Sequence, residues 1–133
     1  MDTRTMLVAL SQDEADAQNV VKTVTGLYDA DEVDVVLTHC FTENPEGASA
    51  TQLSSIKHAN ERLEEAGFDV EVHERSGNPA EEILDAGREL DADLICLGGR
   101  RRSAAGKVMF GSTAQSVLVD ADRPVVLSPG RRA

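Results

Sequence analysis

The segment LGGRRRSAAGKVMFGST (residues 97–113) gathers the side chains and backbone best suited to hold an anion. Gly98 has no side chain to keep a ligand off the backbone. Gly111, Ser112 and Thr113 have the form of a helix start, whose free N–H groups favour phosphate. Arg100, Arg101 and Arg102 add three fork-shaped cationic donors, with the Ser103 hydroxyl beside them. This positive charge sits in a chain with 24 acidic and 13 basic residues and a net charge of −11. Two readings stand for the arginines, a bound phosphate or surface carboxylates, and one of them can face a cleft while its neighbours do not.

Other chemistries fit less well. AAGKV contains Gly-Lys, but a Walker-type phosphate loop needs glycine at 101 and serine or threonine at 108, where Arg101 and Val108 stand. A dinucleotide Gly-x-Gly-x-x-Gly follows none of the expected strands, and no Gly-x-Ser-x-Gly elbow occurs. His39, His58 and His73 lack metal-ligand spacing among themselves or with Cys40 and Cys96, so no metal site is expected. His39 ends a strand near the cleft and can make a polar contact there; His73 reads as exposed. No carboxylate or histidine is placed by sequence to activate water, so no catalytic residue is assigned and binding is expected rather than turnover. The acidic balance repels nucleic acid. No apolar run reaches the roughly 18 residues of a membrane span. A soluble cytoplasmic protein, without a signal-peptide layout, is the expectation. Scarce lysine, preferred arginine and abundant aspartate resemble the proteins of salt-loving organisms.

The elements that must position this loop follow from periodicity. TMLVAL (5–10), VDVVLTHC (33–40), ADLICLGG (92–99) and RPVVLSP (123–129) are short apolar runs, the mark of buried strands. DVEVHE (69–74) alternates, as a half-exposed strand does. Between them lie helical patterns. Ser11 caps the first with Glu14 returning the bond, ahead of Val20, Val21, Val24, Leu27 and Tyr28. A second box, Ser49 to Gln52, precedes Leu53, Ile56 and Leu63, and Gly67 ends that helix. Asn78 caps the third, with Pro79 at its first position. Ser112 and Gln115 form a box on the fourth. Strand and helix alternate through one domain, 1–133, which implies an α/β fold with parallel pairing and helices on both faces. Ligands bind such sheets at the carboxyl ends of strands, which places Ser11 beside Gly98. Cys40 and Cys96 read as unpaired thiols in strands.

The spacing Gly98-x2-Arg101-x9-Gly111-Ser112, followed by a helix and RPVVLSP, resembles the signature of the universal stress protein family; GNPAEEIL and DADLICLG also look like that family's segments. The resemblance covers essentially the whole chain. It implies a flavodoxin-like open sheet of five parallel strands in the order 3-2-1-4-5, usually a homodimer, and in many members a bound adenine nucleotide such as ATP, with magnesium as a possible companion. By the same correspondence Ala9, Leu10 and Ser11 end strand one at the nucleotide, Ala9 and Cys40 line the adenine pocket with Leu97 beneath, and the phosphates meet Gly98, the arginine run, Ser103 and Gly111–Thr113. The chain departs from the pattern at Ser11, where nucleotide-binding members carry an acid for the ribose, and at Arg101, where they carry glycine. Two functions therefore remain in view: a cytoplasmic nucleotide-binding member that signals to a partner protein through a dimer, and a nucleotide-free dimeric interaction module. In either, the last strand is an edge whose Val125, Val126 and Leu127 form the expected dimer interface.

Overall fold

A computed structural model describes residues 3–42, 47, 49–102 and 104–129. Strand β1 (Arg4–Ala9) leads to helix α1 (Glu14–Leu27) and strand β2 (Val33–Phe41). A 3-10 turn, Ala50–Gln52, precedes α2 (Ser54–Glu65), β3 (Val70–Ser76), α3 (Pro79–Glu89) and β4 (Leu94–Leu97). The short strands β5 (Arg100–Arg102) and β6 (Val108–Phe110) follow, then α4 (Ser112–Asp120) and β7 (Val125–Leu127).

The main sheet has five parallel strands in the order β3-β2-β1-β4-β7, the expected 3-2-1-4-5 arrangement with β7 as its fifth strand. Its central strands are buried on both faces, which is why they read as continuous apolar runs rather than alternations. Met6, Val8, Val33, Val35, Leu37 and Cys96 pack with α1 and α2 on one face. Leu7, Val36, Ile95 and Leu97 pack with α3 and α4 on the other. Met6, Leu7 and Leu37 are wholly buried, and each such side chain contributes about 1.5–3 kcal/mol of hydrophobic stabilisation.

Several local expectations are corrected. The cap of α1 is Asp13, whose Oδ1 accepts from Asp16 N at 2.9 Å; Ser11 lies outside the helix. Two nearby residues could cap, and the carboxylate two positions later wins because the strand has to turn before the helix starts. Leu27, expected in the apolar stripe, is 60% exposed at the helix end. Gln52 does return to Ser49, accepting from its N–H at 2.8 Å, but this bond closes the 3-10 turn and α2 starts beyond Leu53. Ser112 is the first residue of α4 rather than its cap, Gly111 holds the cap position, and Gln115 Nε2 donates instead to Phe110 O at 3.0 Å. The segment between Gly99 and Gly111, read as a loop, contains an antiparallel ribbon in which Arg101 faces Met109. Glu82, read as solvated, is partly buried and pairs with Arg75 at 3.0 Å, while Arg75 also bonds Glu89 at 2.7 Å.

Candidate functional site

One cavity of about 480 Å³ opens at the carboxyl ends of β1 and β4. It brings together Ala9, Leu10, Ser11, Cys40, Leu97 and Gly98, and with them Gly111, Ser112 and Thr113, all expected from sequence. Arg100, Arg101 and Arg102 form β5 directly after Gly99, which lines the cavity; their side chains and Ser103 lie outside the described residues.

The mouth of β1 is pinned from two sides. Leu10 N donates to Thr38 O at 2.9 Å, and His39 Nδ1 donates to Leu10 O at 2.8 Å. A carbonyl can only accept, so the ring proton sits on Nδ1. His39 is buried and stands edge-on to Phe41, with ring centroids 4.6 Å apart. The polar contact read for His39 is therefore structural, a tie between two strand ends. Ser55 Oγ donates to Ser11 O at 3.0 Å, fixing the next residue.

Sequence reading missed Asp16. Its carboxylate accepts a long bond from Ser11 Oγ, 3.4 Å, and lies against Gly98. A Cβ at Gly98 would come within 2.5 Å of Asp16 Oδ1 and 2.7 Å of Oδ2, so only glycine lets the acid occupy this place. Gly99 does the same for α4: its missing side chain would stand 3.1 Å from Ala114 Cβ, and its carbonyl accepts from Gly111 N at 2.8 Å. The two glycines thus separate an acidic end, Ser11 with Asp16, from a helix N-terminus that no side chain caps. The acidic end can accept from hydroxyl groups, and the helix end favours an anion. Between them Ala9, Cys40, Ile83, Leu97 and Pro79 supply small or apolar surface for a flat ring. Pro79 and Ile83 come from the start of α3 and were not read as site residues, although the proline's place at the helix start is plain in the sequence. Among the described residues, no three His, Cys, Asp or Glu side chains converge as a metal site.

Cys40 and Cys96 are both free. They stand on the two strands flanking β1, two strand spacings apart and beyond the reach of a disulfide. Burial raises the Cys40 thiol, the Glu82 charge raises it further, and Arg75 pulls it back. Burial alone pushes Cys96 up to about 12. At neutral pH such a thiol holds roughly a thousandfold less thiolate than a free cysteine. Iodoacetamide is therefore expected to label Cys40 slowly in the folded protein and Cys96 only after denaturation, as read by mass spectrometry of peptides. A linked Cys40–Cys96 peptide would contradict the strand order.

Comparison with known proteins agrees with this fold. The family described as "Universal stress protein family" matches residues 3–129. A universal stress protein of Mycolicibacterium smegmatis is 37% identical over 65 residues, 48% of this chain and 50% of that protein. The chain spans about half the length, or less, of the curated relatives it matches. The solved universal stress protein of Archaeoglobus fulgidus in complex with dAMP superposes with a TM-score of 0.71 at 22% identity, covering 96% of this chain and 99% of that one. A universal stress protein solved in complex with cAMP superposes with a TM-score of 0.73 at 18% identity, covering 98% of this chain and 100% of the other.

Proposed function

We propose, from the premise that this chain belongs to the universal stress protein family, that it binds an adenine nucleotide in the cavity at the ends of β1 and β4. The observation that carries the reading is the division of that cavity by Gly98 and Gly99 into an acidic end and an uncapped helix end. The base lies among Ala9, Cys40, Ile83 and Leu97. The ribose hydroxyls donate to Asp16, which stands in for the acid that Ser11 does not supply, and Ser11 Oγ assists. The phosphates lie on the N–H groups of Ser112, Thr113 and Ala114, and the positive charge of the arginine run, which follows Gly99 in the chain, favours them. The dAMP and cAMP named with the two solved neighbours support the adenine class. The nucleotide in this scheme is ATP or a shorter relative; a triphosphate would bring magnesium on its own oxygens. The protein holds the nucleotide without turning it over, because Asp16 sits at the ribose end, across the two glycines from the phosphates.

We also propose that it works in the cytoplasm as a homodimer paired through β7, passing the nucleotide state to a partner protein. The second reading, a nucleotide-free interaction module, is favoured by the exposed Val108, Met109 and Phe110 of the ribbon. Calorimetry with AMP and ATP separates the two: measurable binding supports the first, and none at millimolar nucleotide supports the second. Replacing both Arg101 and Arg102 with alanine is expected to weaken nucleotide binding about tenfold or more at low salt, with the difference shrinking as salt rises. An unchanged affinity would move the phosphate away from the arginine run.

A further inference from the structure

One polar group in the cavity wall has no use in the scheme above. Thr38 stands on β2 between Ala9 of β1 and His73 of β3, and it is 2% exposed. Its carbonyl is taken by Leu10 N, but its Oγ1 is buried with no hydrogen-bond partner within the protein. Thr38 also lines the cavity. Side chains alternate along a strand, so Thr38 projects to the same face as Cys40, one pleat deeper, beside the short side chain of Ala9. Valine has the same shape as threonine and would fill this place without burying a polar atom. A hydroxyl left unpaired in a protein interior opposes folding, and such groups call for an explanation.

We propose that Thr38 is a specificity-determining residue: its hydroxyl hydrogen-bonds the polar edge of the nucleotide's base, accepting from the exocyclic amino group and donating to the neighbouring ring nitrogen. The proposal rests on the nucleotide reading. It adds that the site selects a base with a hydrogen-bonding edge, rather than any flat ring that the apolar walls would accept. A hydroxyl is both donor and acceptor, so it suits an edge where an amino group and a bare nitrogen lie side by side.

The variant Thr38→Val separates this role from a structural one, because the two roles predict opposite signs for stability. Without nucleotide, the valine variant is expected to melt at the same temperature as the parent or higher, since it removes an unpaired buried hydroxyl and keeps the packing. It is also expected to bind AMP about five- to tenfold more weakly by calorimetry, and to lose the parent's preference for AMP over purine riboside monophosphate, which lacks the amino group. Thr38→Ser should keep most of that preference. A lower melting temperature with AMP affinity unchanged makes the hydroxyl structural and overturns the proposal. A valine variant that discriminates between the two nucleotides like the parent also overturns it. A parent protein that binds neither nucleotide overturns the nucleotide reading itself, a result distinct from parent-like binding by the variant.

Discussion

Replacing Gly99 with valine is expected to lower the melting temperature by roughly 10 °C and to remove nucleotide binding. Gly99 has φ +104°, a backbone conformation that costs a branched residue about 1–3 kcal/mol. The new Cβ would also start 3.1 Å from Ala114 Cβ, and Ala114 is itself 2% exposed and has little room to give. Overpacking of this kind costs about 1–3 kcal/mol more, and relief would come only by moving β4 and α4 apart. For a chain of this size about 3 kcal/mol corresponds to roughly 10 °C. The functional loss follows from the same movement. Gly99 O holds Gly111 N at 2.8 Å, and Gly111 is the cap of α4, so the strain shifts the N–H groups assigned to the phosphates. Scanning calorimetry and nucleotide titration check the two halves separately. A melting temperature within about 2 °C of the parent would show that the turn relaxes without strain. Retained affinity in a destabilised variant would place the phosphates somewhere other than the α4 terminus.

The fold was legible because its signals are local. Apolar runs such as LICL in β4, and a proline at the start of α3, fix element type from neighbours in sequence. Helix starts were less legible where candidates crowd. Ser11 and Asp13 each can cap, and the geometry of the β1–α1 turn chose the aspartate. Thr38 shows a different limit. Its strand is buried on both faces, so no polar alternation marks which of its two faces meets the cavity. Asp16 shows a third. Nothing in its own helix distinguishes it from Glu14 in the same first turn; its meaning comes from Gly98, 82 positions away, whose bare backbone makes room for it. The ribbon of β5 and β6 was hidden by composition, since arginines, small residues and glycine read as loop, and pairing across it is decided by Gly99 and Gly111 meeting at its base.

Replacing Val125 with proline is expected to convert a homodimer into folded monomers. β7 is an edge of the five-stranded sheet, bonded to β4 alone. Ile95 N donates to Pro124 O and Ser128 N donates to Leu97 O, each at 2.9 Å. In a parallel ladder this register turns the N–H and C=O groups of Val126 toward β4 and those of Val125 and Leu127 outward. The side chains of Val125, Val126 and Leu127 are half-buried, Val126 against one core and its neighbours against the other. What the strand presents to a second copy is therefore mostly backbone, rather than the uncovered valines that its sequence suggests. A charged side chain at Val126 would damage the core and the interface together and decide nothing. Proline at 125 removes an outward N–H that a monomer leaves to water, a substitution edge strands tolerate. In a two-fold pairing of edges it removes a ladder bond and puts a ring where the second backbone must approach. At tens of micromolar in high salt, sedimentation should give a dimer for the parent and a monomer for Val125→Pro, with the far-ultraviolet circular dichroism of the two alike. A parent that is already monomeric there ends the proposal of a dimer, and a proline variant that stays dimeric moves the interface off β7.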